Sequence, residues 1–176
     1  MDWCHYRFRS RWDLDAPPAA VFAVLANGDD YPRWWPQVRE VRRIDERSGA
    51  ARFRSLVPYD LRLIVSEARQ DPVDGVLEIG FAGDLEGWAR WTVLPQGTGT
   101  RALFEQEVVA RKPLLRRLAL PGRPVFRANH ALMMRSGLRG LRAHLAARPA
   151  GPAGAPPGPA AGPSGPASGP SGGNAV

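Results

Sequence analysis

HYRFRSRWDL, residues 5–14, places Tyr6, Phe8, Ser10, Trp12 and Leu14 at even positions and His5, Arg7, Arg9, Arg11 and Asp13 between them. A period of two over this length predicts a β-strand with one face buried and one face wet. The arginines therefore read as a solvated sheet face, not as a binding patch.

Downstream, Asp15-Ala-Pro-Pro predicts the start of a short helix, with Asp15 as its cap and a proline in the first turn. Val21, Phe22, Val24 and Leu25 supply its apolar side, and Asn27-Gly28 ends it. An aromatic knot between prolines, Tyr31-Pro-Arg-Trp-Trp-Pro, follows and reads as structural, with Trp34 and Trp35 wedged under the short helices. From Val38 to Arg111 the pattern is strands and turns. Strands are predicted near 38–46, 51–58, 60–69, 75–82, 87–95 and 100–111, with turns at Ser48-Gly49, Pro58-Tyr59, Asp74-Gly75, Gly83-Asp84 and 97–100. Successive hairpins predict one antiparallel meander.

The ordered chain ends in helix. A segment at 113–120 is broken by Pro121-Gly-Arg-Pro124, and a longer one runs from about 124 to 147. Phe126, Met133, Met134, Leu138, Leu141 and Leu145 form one stripe of the longer helix, and Arg135, Arg139 and Arg142 lie opposite. His130 and Gly137 fall inside the apolar stripe. A helical glycine costs roughly 1 kcal/mol relative to alanine, so Gly137 predicts either close approach or empty space beneath it.

Composition bounds the rest. Residues 149–176 hold 8 of the 18 prolines and 8 of the 19 glycines, with no charged or aromatic side chain. Such a stretch buries too little apolar surface to offset its ordering entropy, so it reads as a disordered Pro/Gly/Ala/Ser-rich tail after a domain spanning 1–148. The single cysteine, Cys4, excludes an internal disulfide framework and a Cys-rich zinc site. Met1 to Arg11 lacks a signal-peptide core, and the uncharged run Ala16–Gly28 is too short to span a bilayer, so a cytoplasmic protein is expected. Net charge is +7, and its distribution is uneven. Residues 1–107 carry 14 basic and 17 acidic side chains, whereas the remainder carries 10 basic and no acidic ones. One lysine against 23 arginines reads as the imprint of a GC-rich genome.

The order strand, short helix pair, six-strand meander, long C-terminal helix resembles the helix-grip fold of the SRPBCC (START-like) superfamily. Within it the closest likeness is to the bacterial polyketide cyclase/dehydrase and lipid-transport branch. The segments that carry the resemblance are YPRWWPQV at 31–38, VPYDL at 57–61, GDLEGWARWTVLP at 83–95 and NHALMMRSGLRGL at 129–141. They occur in that branch's order, and the likeness covers roughly residues 5–147. It implies an α+β fold in which a curved seven-stranded antiparallel sheet wraps around a long C-terminal helix, with two short helices after strand 1 and a cavity between sheet and helix. Two departures stand out. Trp88 occupies a position that is often small in relatives, which predicts a narrower pocket there, and the tail beyond Arg148 has no counterpart.

The resemblance implies a hydrophobic small-molecule ligand such as a lipid or polyketide, with no cofactor and no metal. Tyr6, Phe8, Trp12, Phe53, Trp91 and Phe104, at alternating strand positions, are either its pocket wall or ordinary core. Met133 and Met134 suit an adaptable wall or a gap-filled core. Tyr59 sits on a hairpin that would rim the mouth, or is plain turn chemistry. Gln106, between Phe104 and Val108 on one strand face, needs a partner: a ligand, His130 or a buried water. His130 is either a cavity-facing group able to bind a carbonyl or act as catalytic acid or base, or a core histidine bonded to a backbone carbonyl or a tyrosine. Asn129, at the edge of the stripe, is expected to bond to the sheet or a loop.

Other chemistries find no support. There is no G-x-S-x-G elbow, no metal spacing among His5, His130 and His144, and no glycine-rich loop between strand and helix. The basic C-terminal third shows no helix-turn-helix and no stacking aromatics, so nucleic acid is not an expected partner. Three functions stay open: non-covalent binding of a hydrophobic molecule, an aromatase/cyclase or dehydratase on a polyketide chain, and a transient contact of the basic helix face with an anionic membrane or a protein.

Overall fold

A computed structural model of the chain describes residues 4–54, 60–111 and 123–148. Strand β1 (His5–Leu14) leads into α1 (Pro18–Ala26), a single 3₁₀ turn (Gly28–Asp30) and α2 (Tyr31–Trp34). Six strands follow: β2 (Val38–Arg43), β3 (Ser48–Arg54), β4 (Asp60–Asp71), β5 (Val76–Gly83), β6 (Leu85–Gln96) and β7 (Gly99–Ala110). The long helix α3 (Arg123–Ala147) ends the described chain. The sheet runs β1-β7-β6-β5-β4-β3-β2 with every neighbouring pair antiparallel, so the meander is intact and β1 closes it against β7. This is the expected α+β helix-grip arrangement.

Alternation in β1 translates directly into burial. Tyr6, Trp12 and Leu14 are buried, while Arg7, Arg9, Arg11 and Asp13 face out. On that outer face the arginines meet the acidic side chains of β7 and β1: Arg7 pairs with Glu107 at 3.1 Å, Arg9 with Glu105 at 3.2 Å and Arg101 with Asp13 at 2.7 Å. The inner face of β7 carries Ala102, Phe104, Val108 and Ala110, all buried. Bulges between Val38 and Glu40 and between Glu67 and Arg69 interrupt the ladders of β2 and β4, and such insertions bend a strand.

Helix α3 lies over the inner face. Met134, Gly137 and Leu141 are buried and Arg135, Arg139 and Arg142 are exposed, as its periodicity requires. A Cβ on Gly137 would stand 2.7 Å from Trp35 Cε2 and 3.1 Å from Trp12, so this glycine marks close approach, not empty space. Gly140, one turn on, leaves no room at all: a Cβ there would overlap the Trp34 carbonyl oxygen. The indole of Trp35 then donates from Nε1 to the Met133 carbonyl at 3.1 Å, pinning α2 to α3.

Three local expectations are corrected. Asp15 does not cap α1. Pro17 occupies the cap position with no side-chain bond, and its carbonyl accepts from Ala20 and Val21. Pro18 has no N–H to offer a cap, so the helix starts past the aspartate. The β2–β3 turn lies at Asp45-Glu46-Arg47 instead of Ser48-Gly49, because the Asp45 carboxylate accepts from Arg47 N (2.8 Å) and Ser48 Oγ (2.6 Å) and folds the chain there. Strand β2 accordingly stops at Arg43, and Gly49 pairs with it inside β3. The expected helical segment at 113–120 and the tail from 149 lie outside the described residues.

Candidate functional site

Between α3 and the inner face of the sheet is a cavity of about 150 Å³. Its walls are apolar except for the Tyr6 phenol and the side chains of Gln106, Asn129 and His130. Of the residues singled out in the sequence, Tyr6, Phe8, Phe53, Phe104, Gln106, His130, Met133 and Met134 all border this space. Tyr59 lies outside the described residues.

Trp12, Trp91 and Gly137 do not border it. Trp12 and Trp91 have ring centroids 4.6 Å apart, Trp91 packs on Phe104 at 4.8 Å, and Trp12 meets Trp35 edge-on at 5.9 Å. Together with Tyr31 and Trp34 these rings fill the sheet's inner face where α1 and α2 cross it. The Tyr31 hydroxyl donates to the Leu25 carbonyl at 2.9 Å, and burial pushes its pKa above the ordinary tyrosine range. Trp88 points away from the cavity and lies under the Arg90 guanidinium, 5.2 Å from the ring centre, so it does not narrow the pocket.

The polar centre of the cavity is built by strand register. Phe8 on β1 stands opposite Gln106 on β7. The His130 imidazole, projecting from α3, lies flat on the Phe8 ring at 3.8 Å and 10°. That placement brings His130 Nε2 within 3.1 Å of Gln106 Oε1. With the amide in this orientation, Nε2 carries the proton and donates it. Burial pushes the His130 pKa down to about 4, so the ring is neutral at pH 7. His130, one of the expected partners of Gln106, thus bonds to it in the structure. Nδ1 of His130 and the amide NH2 of Gln106 make no bond to another side chain among the described residues.

Several wall residues were not picked from the sequence. Leu61, Leu63, Phe81, Leu85, Val108 and Ala110 carry the parity of their strands' buried face, and Phe126 belongs to the α3 stripe. Trp35 both borders the cavity and holds α3. Asn129 points its amide at Met133 Sδ, 3.7 Å away, and also borders the space.

A second cavity of about 210 Å³ opens between the α1–α2 segment and strands β2–β5. Val38, Val41, Ala51, Val65, Leu77 and Ile79 give it an apolar floor, and Asp29, Arg43, Asp45, Arg47 and Glu67 a charged rim. Phe53 borders both cavities. Among the described residues no group of three His, Cys, Asp or Glu side chains stands together as metal ligands, and no helix is long and apolar enough to cross a membrane.

A long helix closed over the inner face of an antiparallel sheet, with an apolar hollow between them, defines a helix-grip cavity protein. The chain belongs to the START-like (SRPBCC) family described as polyketide cyclase / dehydrase and lipid transport, whose model matches residues 5–146. The structure is similar to that of TTHA0849 from Thermus thermophilus (18% identity, 81% of this chain and 98% of that one, TM-score 0.67). It is also similar to the Zhui aromatase/cyclase from a Streptomyces species (13% identity, 81% and 94%, TM-score 0.62). A START superfamily protein from Mycobacterium smegmatis matches at 12% identity over 80% and 97%, with a TM-score of 0.63. No curated protein matches the sequence.

Proposed function

We propose that the chain binds a hydrophobic small molecule, of the lipid or polyketide kind, in the cavity under α3, and that His130 and Gln106 orient it through one neutral polar group. The observation that carries this reading is an apolar hollow with a bonded polar pair, His130–Gln106, on its wall. Burying a ligand there is favoured by about 25 cal/mol per Å² of apolar surface. The Nδ1 lone pair and the Gln106 amide NH2 offer one acceptor and one donor to a hydroxyl or carbonyl. Tyr6, Phe8, Phe53, Phe104, Met133 and Met134 would form the wall. Titration with 1-aminoanthracene, an apolar fluorophore with one amine, should give saturable one-to-one binding. Gln106→Leu should weaken it about fivefold, the size of roughly 1 kcal/mol for one neutral hydrogen bond. A parent protein that shows no saturable uptake ends the proposal. Native mass spectrometry of protein from its own host would identify a retained molecule directly.

The same ring supports a catalytic extension. A neutral imidazole with an open Nδ1 is able to take a proton from an activated carbon of a poly-β-keto chain folded in the cavity. His130→Ala should then keep fluorophore binding and lose turnover of a polyketide thioester. Absence of turnover in the parent rejects this extension and leaves binding intact.

A second reading rests on α3. Arg127, Arg135, Arg139 and Arg142 are exposed, no acidic residue lies on the helix, and none of the four forms an ion pair among the described residues. Val125 and Leu132 are about half exposed on the same outer side. This face would dock transiently on an anionic bilayer. Co-sedimentation with phosphatidylglycerol vesicles that vanishes at high salt supports it, and equal binding to phosphatidylcholine vesicles rejects it.

A further inference from the structure

The two cavities lie along one inner face, and strand positions pass from one to the other without a change of parity. On β4, Leu61 and Leu63 border the inner cavity while Val65 and Glu67 border the outer one. On β5, Phe81 belongs to the inner cavity, and Ile79 and Leu77 to the outer. Phe53 stands at the crossing: its register partner on β4 is Leu61, from the inner cavity, and its partner on β2 is Val38, from the outer. It is half-buried, and unlike the mutually packed rings of Trp12, Trp35, Trp91 and Phe104 it makes no ring contact among the described residues. One ring, in contact with no other ring among the described residues, borders both an apolar chamber and a larger chamber with a charged rim.

We infer that Phe53 is a gate, and that the ligand is an elongated amphiphile lying across it, its largely apolar body, with the neutral group met by His130 and Gln106, in the inner chamber and a further polar end at the rim. This rests on the cavity-binding reading and narrows it from compact molecules to chains. Rotation of an unstacked phenyl ring about its side-chain torsions is fast and joins the chambers into a space more than twice the inner one. A compact ligand has no use for the outer chamber. A chain gains apolar burial on Val65, Leu77 and Ile79 and leaves its polar end among side chains that are already solvated.

The test uses the full chain and straight-chain fatty acids from octanoate to palmitate, read by displacement of 1-aminoanthracene. Parent affinity should rise with chain length through palmitate. Phe53→Trp should weaken palmitate at least tenfold more than it weakens octanoate, and Phe53→Ala should hold palmitate as tightly as the parent or better. Val65→Phe, which fills the outer chamber from β4 four residues beyond Leu61, the register partner of Phe53, should reproduce the loss for palmitate, so the proposal stays testable if Phe53→Trp does not fold. Equal factors for octanoate and palmitate in these variants overturn the gate, as does a parent affinity that stops rising at octanoate. A parent that takes up the fluorophore but no fatty acid overturns the elongated ligand while the cavity reading stands. Failure to bind the fluorophore itself removes both.

Discussion

His130 is neutral at a pH where an exposed imidazole begins to charge, because burial under α3 holds its pKa near 4. The unfolded chain takes up a proton there near pH 6.5. Between pH 6.5 and 4 the unfolded state therefore binds more protons than the native one, and stability falls as pH falls. The contribution is complete above pH 6.5 and gone by about pH 4. Urea unfolding should show a loss of roughly 2 kcal/mol between pH 7 and 4.5 in the parent, and His130→Phe should flatten that slope. Carboxylates held below their usual range, Asp13 by Arg101 and Glu107 by Arg7, add a loss of the same sign as pH falls through the ordinary carboxylate range, so it is the difference between the parent and His130→Phe that isolates the imidazole. At this scale the sequence was partly legible. Face parity put Gln106 on an apolar wall and helical spacing put His130 on the buried stripe. Their bond stood only as one of three alternatives, because it depends on the tilt of α3 against Phe8, which no periodicity encodes.

Among the elements, α3 and α2 show what pattern reading reaches and where it ends. The stripe of α3 was readable residue by residue, and of the two readings of Gly137, close approach or empty space, the structure shows the first. Gly140 carried the same signal three residues on, yet it is the tighter of the two. Gly137 faces the ring edge of Trp35, a side chain able to shift by tenths of an ångström. Gly140 faces the Trp34 carbonyl, which belongs to the backbone of a short helix already bonded between Tyr31 and Trp35. Alanine gains up to about 1 kcal/mol of helix propensity at either site. At 137 that gain should offset part of a steric cost of roughly 1–3 kcal/mol, and at 140 it should be overwhelmed. Gly140→Ala should thus lower the denaturation midpoint more than Gly137→Ala. A near-neutral Gly140→Ala would contradict the close contact of α2 and α3. The misplaced β2–β3 turn and the missing Asp15 cap have one cause. Both Ser48-Gly49 and Asp15 are good local signals, and each lost to a neighbour with stronger geometry, the Asp45 carboxylate in one case and two consecutive prolines in the other.

For the whole molecule, the seven-strand meander and the closing helix were readable from alternation and turns, whereas the division of the inner face into packed and hollow halves was not. The same parity marks Trp12 and Trp91, which fill space, and Phe8 and Phe104, which border it. Only the crossing of α1 and α2 decides which half is filled, and that is a matter of tertiary packing. The extent of the folded unit is a separate question with its own test. Helix α3 ends at Ala147 and the Arg148 N–H returns to the Leu145 carbonyl, so the described fold closes before the Pro/Gly-rich stretch begins. The family match stops in the same place, at residue 146. That stretch holds no aromatic and no charged residue with which to add core or ion pairs. A chain ending at Arg148 should therefore melt within about 2 °C of the full chain, since stability changes well under 1 kcal/mol shift a domain of this size by no more than that. It should also bind 1-aminoanthracene unchanged. A drop of several degrees, or lost binding, would assign the last 28 residues a place against the domain.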